Sequence, residues 1–359
     1  MLGVYLHIPY CEGKCYYCDF YSRGGSHAVP ERYLDALLRD IHAASPCMPL
    51  RPDTVYFGGG TPSLLTAAQV RRLLEALSPA PEAEITLEAN PGTVTAASLT
   101  AFRAAGVNRL SVGVQTACDN SLARIGRRHT VQDSRNTLQW ARSAGFSNIS
   151  GDVMLALPQY TADELNATLD LLAEGGCTHI SSYLLKIEPN TVFGKRPPQG
   201  LPDDDAAADF YLSCVEGLAA RGYAQYEISN FAKSDFASRH NLIYWNCEDY
   251  LGFGPAAHSC VQGRRFSCPA GTERFITAPQ TAVPEGCVDA EDFIMLQLRL
   301  AAGLPLSALR GRYGTVFSTQ QLQFLDTLCA NGFARFDGET LTLTPRGMLL
   351  QNSILCELI

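Results

Sequence analysis

Three cysteines near the N-terminus, Cys11, Cys15 and Cys18, stand in a C-x3-C-x2-C spacing. They follow a short apolar strand candidate, Val4–Ile8, that Pro9 ends. Three thiols this close do not make a disulfide framework, because one is always left over. They can hold one soft metal centre with a coordination position open, and thiolates select zinc, Cu(I) or iron–sulfur clusters. Structural zinc wants a fourth protein ligand, and the nearest candidates, His7 and His27, lack finger spacing. An iron–sulfur cluster with one iron free of protein is the sharper reading. Three ordinary cytosolic thiols are the plain alternative.

More polar residues recur at the ends of strand candidates. One strand leads into Gly58-Gly59-Gly60-Thr61-Pro62-Ser63; others end at Glu88-Ala89-Asn90, run into Gln115, carry Asp152, or end at Lys186 and Glu188. Singly, each has a bland reading, such as a solvated strand-end charge or a turn former. In register with the strand count they point to one shared site. The triple glycine lets backbone approach a ligand without Cβ interference. No Gly-Lys-Ser/Thr follows it and it is not G-x-G-x-x-G, so a P-loop and a dinucleotide fingerprint are excluded. A tight strand-to-helix turn is its plain alternative.

The elements that must position these residues alternate from residue 4 to about 221. Strands are expected at Val4–Ile8, Thr54–Phe57, Glu84–Glu88, Arg109–Gly113, Asn148–Met154 and His179–Leu185. Helices are expected at Glu31–Ala44, Ala67–Leu77, Ala96–Ala105, Val131–Ala144, Ala162–Glu174 and Asp205–Arg221. Thr66, Thr95 and Thr161 read as N-caps, the last with Glu164 as a capping box. Gly106, Gly145, Gly175 and Gly222 read as left-handed caps. Strand–helix units in a row imply an α/β fold with a parallel sheet. An open doubly wound sheet and a partial (β/α)6 TIM-like barrel both fit; polar strand ends converging on one rim favour the barrel.

This barrel is expected to fill residues 1–222. Residues 223–287 read as an aromatic, glycine-rich connecting region with no clean period. It carries His240-Asn241-Leu242-Ile243-Tyr244-Trp245 and then Gly252-Phe253-Gly254-Pro255-Ala256-Ala257-His258. His240 and Tyr244 share a helix face, as a haem-iron ligand pair or, more plainly, a packed polar pair. Residues 288–359 read as a small α+β winged-helix-like accessory domain with a hairpin around Asp337-Gly338. Its expected recognition helix, in residues 318–332, has no Lys or Arg, which favours a lid or protein-packing role over DNA.

The chain has 359 residues, 46% hydrophobic and 18% charged, an ordinary globular composition. A formal net charge of −8 argues against a nucleic-acid surface. No secretory signal or apolar span is visible. With 13 cysteines, that implies a reducing, cytoplasmic setting, the scattered ones (Cys47, Cys287 and Cys356 among them) being free and buried.

In order, HIPYCEGKCYYCDF, GGGTPS, LEANPG, GVNRLSVGVQ, EPNT and HNLIYW resemble the radical S-adenosylmethionine (SAM) proteins related to oxygen-independent coproporphyrinogen III oxidase, and within them the haem chaperone branch. The resemblance spans essentially the whole chain. It implies that Cys11, Cys15 and Cys18 hold a 4Fe-4S cluster whose open iron takes the amino and carboxylate groups of SAM. It places Tyr5 beside the cluster, Tyr17 on the adenine side, and Gly59, Gly60 and Thr61 at the methionyl part. Glu88, Gln115, Arg127 and Asp152 would hold the amino, carboxylate and ribose groups, and His240 would be the haem ligand. The chemistry implied is one-electron reduction of SAM by the cluster. An oxidase of this family decarboxylates coproporphyrinogen III; a chaperone binds haem and hands it to apo-haemoproteins. The implied partners are a cytosolic electron donor and, at most transiently, a membrane, with the chain a monomer or homodimer. Three features favour the chaperone. Phe20 stands where the oxidases carry a further cysteine, only ten residues precede Cys11, and the HNxxYW motif is present. Departures from the family pattern fall at Thr116-Ala117, where Ser-Phe is common, and at Leu155-Ala156-Leu157-Pro158, where a glycine commonly precedes the leucine.

Overall fold

The computed structural model describes residues 1–44 and 50–359; Cys47 lies outside them. The first half alternates: β1 (Leu2–Ile8), α1 (Glu31–Ala44), β2 (Thr54–Gly59), α2 (Ala67–Leu77), β3 (Glu84–Ala89), α3 (Ala96–Ala104), β4 (Arg109–Gln115), α4 (Asp119–Arg124), α5 (Val131–Ser143), β5 (Asn148–Leu155), α6 (Ala162–Glu174), β6 (His179–Leu184), α7 (Val192–Lys195) and α8 (Asp204–Ala220). Strands β1 to β6 pair in sequence order, all parallel. Every residue of β4 is buried, as expected of a parallel strand covered on both faces. Helix starts are fixed locally: Thr66 with Gln69, Thr95 with Ser98, and Thr130 with Asp133 form reciprocal capping boxes.

Two local expectations are corrected. The Thr161 hydroxyl accepts from the Glu164 amide, but the Glu164 carboxylate is taken by the hydroxyls of Thr116 and Ser121. It therefore ties α6 to the end of β4 instead of closing a capping box. The left-handed residue after α6 is Gly176 (φ 83°), whereas Gly175 stays helical at φ −64°.

Residues 223–287 do more than connect. They contribute β7 (Ala224–Glu227), β8 (Asn230–Ala232), α9 (Arg239–Trp245), β9 (Asp249–Phe253), β10 (His258–Val261), β11 (Arg264–Ser267), α10 (Thr272–Thr277) and β12 (Val283–Cys287). Among the described residues the sheet has 12 strands in the order β12-β11-β10-β9-β1-β2-β3-β4-β5-β6-β8-β7. Strand β9 joins β1 in parallel, while β10, β11 and β12 follow antiparallel. The pairing of β9 with β1 is non-local and so leaves no periodic trace in the sequence. Among the described residues β12 and β7 do not pair with each other, so the barrel is partial.

The last segment comprises α11 (Ala290–Gln297), β13 (Leu304–Pro305), α12 (Leu306–Tyr313), α13 (Thr319–Ala330), β14 (Ala334–Phe336), β15 (Thr340–Leu343), α14 (Pro345–Leu349) and α15 (Gln351–Leu358). Phe293, Leu298, Leu309, Leu325, Leu341 and Ile354 belong to a core of its own. The segment is pinned to the sheet by Arg299, which reaches the fully buried Glu227 at 3.0 Å. The same guanidinium lies 4.4 Å from the ring centre of Trp245. Cys287 and Cys356 are exposed, not buried. No helix among the described residues is long and apolar enough to cross a membrane.

Candidate functional site

The carboxyl ends of β1 to β6 surround a cavity of about 580 Å³. Cys11, Cys15, Cys18, Tyr17, Gly59, Gly60, Thr61, Glu88, Gln115, Arg127 and Asp152 all line it. Parallel register brings them together: Ile8 faces Gly59, Glu88 faces Ser111, and Asp152 faces Ser181. The cysteine loop is held by backbone bonds, from the Cys11 amide to the Arg23 carbonyl (2.9 Å) and from the Tyr16 amide to the Ile125 carbonyl (3.1 Å). Thr61 and Gly60 donate to the carbonyls of Tyr10 and Ile8. A Cβ on Gly60 would lie 2.7 Å from both of those carbonyl oxygens. The glycine is thus required for the glycine loop to pack against the cysteine loop.

The charges are arranged around the cavity wall. Glu88 accepts from the Tyr56 hydroxyl at 2.9 Å and from the Gly59 amide at 3.2 Å. Burial outweighs those bonds and pushes its pKa up to about 7. Asp152 accepts from Ser111 at 3.2 Å. Burial raises it to about 6, against the pull of Arg127. Arg127 donates to Asn90 at 2.7 Å, and its Nε has no partner. Burial holds His129, on the same wall, down to about 4, with Arg127 adding to the effect. Gln115 keeps a left-handed backbone at φ 71°, strain of a kind that collects at ligand sites.

Arg109 was not singled out from the sequence. It stands first in β4, where a strand-end charge reads as solvated, yet it is 2% exposed, lines the cavity and has an unpartnered Nε. The available signal was an arginine in a strand otherwise free of charge.

Tyr5 and His240 fall elsewhere. Tyr5 lines a second cavity of about 510 Å³ that shares Gly59, Glu88 and Phe20 with the first. This cavity is bounded by Tyr244, Trp245, Tyr250, His258, Arg265 and Met295, from α9, β9, β10, β11 and α11. His240 is 1% exposed and both ring nitrogens are engaged, Nδ1 with Thr54 at 2.7 Å and Nε2 with Tyr244 at 2.6 Å. Its ring stacks on Tyr56 at 5.1 Å, and burial lowers its pKa to about 3. This is the packed polar pair, not a ligand with a free nitrogen. Iron could reach His240 only after Tyr244 left it.

The Radical SAM superfamily model matches residues 5–172 and the HemN C-terminal domain model residues 288–350. Heme chaperone HemW of Escherichia coli (strain K12) is 36% identical, over 99% of this chain and 97% of that protein. Heme chaperone HemW of Bacillus subtilis (strain 168) is 34% identical, over 99% and 98%. The chain belongs to the HemW family of radical SAM proteins. The fold is also that of the coproporphyrinogen III oxidase HemN from Escherichia coli, with a TM-score of 0.85 at 23% identity over 99% of this chain and 89% of that one. Membership of the radical SAM superfamily implies a 4Fe-4S cluster and SAM, and the first cavity fits both. Its three thiols all line that cavity, and thiolates are the ligands of iron–sulfur clusters. SAM carries an ammonium, a carboxylate and a diol. The wall offers two carboxylates with raised pKa and two guanidinium groups, each with a nitrogen that nothing among the described residues pairs.

Proposed function

We propose that this protein is a haem chaperone that carries a 4Fe-4S cluster and SAM in the first cavity and binds haem for delivery to apo-haemoproteins. The observation that carries this reading is the pairing of two adjoining cavities of different chemistry in a HemW-family chain. One is lined by the three clustered cysteines and by buried charged side chains; the other is walled by aromatic side chains. Cys11, Cys15 and Cys18 would hold the cluster. Glu88 would accept the SAM ammonium, Arg127 would pair the carboxylate, and Gln115 and Asp152 would take the ribose hydroxyls. When bound and reduced, the cluster supplies one electron to the sulfonium of SAM. The chain's own residues would orient SAM and exclude water; burial favours protonated Glu88 and Asp152 in the SAM-free chain, and the bound ammonium would draw Glu88 to its charged form. The segment from residue 288 onward closes the second cavity through Val288, Asp292, Met295 and Leu296. Phe20, 68% exposed, stands at the shared mouth, in the place of the oxidases' further cysteine.

The test is to incubate the reduced, cluster-loaded protein with SAM and coproporphyrinogen III, and in parallel with haem. Haem binding without protoporphyrinogen formation is expected. Formation of protoporphyrinogen would replace this reading with an oxidase.

A further inference from the structure

We infer that His258 supplies the imidazole that ligates the iron of haem in the second cavity, an assignment that rests on the haem-chaperone reading above. His258 opens β10, its side chain is 55% exposed, and it lines the cavity. Its Nδ1 meets Glu285 of β12 at 3.0 Å, while Nε2 has no hydrogen-bond partner among the described residues. A histidine that ligates metal through one nitrogen nearly always gives the other to a carboxylate or carbonyl, which fixes its tautomer and raises its basicity. His258 has that arrangement in an empty-handed form, and His240 does not, because both its nitrogens are spent within the chain.

The segment before His258 explains how it comes to be there. The carbonyl of His258 passes so close to Gly252 that a Cβ there would lie 2.3 Å from it. Gly254 takes φ 104°, and a Cβ would press on the Tyr33 hydroxyl at 2.9 Å. These glycines let the turn from β9 to β10 fold tightly over β1, so the run Gly252–His258 serves to aim the histidine.

The surroundings fit a planar apolar ring with acidic side chains. Tyr244, Trp245 and Tyr250 give an aromatic wall and Met295 and Leu296 an aliphatic one, while Arg265, 41% exposed and only loosely paired with Glu285 at 4.0 Å and Asp292 at 3.9 Å, is the cation a propionate would meet. A volume of about 510 Å³ falls within the range of sites that enclose a small-molecule ligand. Haem iron accepts histidine, cysteine thiolate, methionine or tyrosine. The two thiols on the wall are poor competitors, since burial pushes Cys247 up to about 11 and also raises Cys260.

Ferric haem is titrated into cluster-loaded protein, and the Soret and visible bands give both ligation and affinity. Wild type is expected to show a histidine-ligated spectrum. His258→Ala should lose that spectrum and bind at least about tenfold more weakly, and free imidazole should restore the bands. Glu285→Gln should keep the ligation and lose about tenfold in affinity. His240→Ala should keep the histidine-type bands. Unchanged cluster iron and far-ultraviolet circular dichroism establish that each variant is folded. If His258→Ala binds with the wild-type spectrum and affinity, the assignment of His258 is overturned while the chaperone reading stands. If wild type takes up no haem, both fall.

Discussion

The two cavities share a wall but are built by different means. The first is made by consecutive parallel strands whose carboxyl ends meet, so each functional residue sits at a repeating position in its own strand–helix unit. The second is made by α9, the antiparallel strands β10 to β12, and α11, which follow one another within residues 239–297 and are brought against the barrel by the long-range pairing of β9 with β1. The first cavity holds buried charges with unsatisfied atoms; the second holds aromatic faces and two imidazoles, of which His258 keeps one nitrogen without a partner among the described residues. The difference teaches where a ligand's chemistry is written: in residue type at regular intervals for the first, and in packing for the second.

The sharpest way to break the comparison is to remove a thiol. Cys15→Ala should abolish cluster assembly, so iron per chain after anaerobic reconstitution falls close to zero, while the second cavity is untouched. Retention of a full cluster would mean that another cysteine serves, and that the first cavity is not organised by C-x3-C-x2-C.

A comparable test on the other side is Arg299→Ala. It leaves the fully buried Glu227 with only the neutral donors Ser229 and Asn230 and uncovers Trp245. Removing one partner of a buried ion pair costs about 3–5 kcal/mol. Chemical denaturation should show a loss at the low end of that range, since the Arg299 side chain is 28% exposed. Haem affinity should weaken, with SAM binding retained.

The pH response separates the cavities further. Glu88 and Asp152 have folded-state values of about 7 and about 6, above those of unfolded carboxylates near 4. The folded, SAM-free chain therefore holds protons that the unfolded chain has released. Stability is fully present below about pH 4 and is lost as pH rises through 6 and 7. A fall of about 3–4 kcal/mol between pH 5 and pH 7.5 is expected for cluster-loaded protein, smaller with SAM bound because its ammonium favours the charged form. Glu88→Gln should flatten this profile, and Met295→Leu in the second cavity should not.

The smallest effect concerns the departure at Ala156. That residue is held at φ 57°, where a Cβ is strained, which explains why related sequences place glycine there. Ala156→Gly should stabilise by no more than about 1 kcal/mol, read as a small rise in the thermal midpoint.

Much of the first cavity was legible from sequence because strand ends, caps and the cysteine spacing are local signals. Glu88, Gln115 and Asp152 fall where the strand count puts them, whereas Arg127, in the loop between α4 and α5, is marked only by the family resemblance. Arg109 was missed because burial, not residue type, makes it remarkable in that wall, and a sequence does not show burial at the start of a strand. Tyr5 was placed one wall away, since alternation along β1 sends it to the other side from the cysteine loop. His240 drew attention through its motif, but only the structure shows that Thr54 and Tyr244 occupy both nitrogens. His258 stood in a run of small residues whose purpose depends on the approach of β10 and β12, neither of which has a periodic signature.

The account's central claim is that two ligands occupy two sites in one chain. The most direct measurement is to load the cluster, saturate with haem, remove the excess, and determine cluster iron, sulfide and haem in the same sample. The account predicts a full 4Fe-4S complement together with one haem per chain. Haem bound only as the cluster is lost, or no haem bound while the cluster is intact, would contradict it.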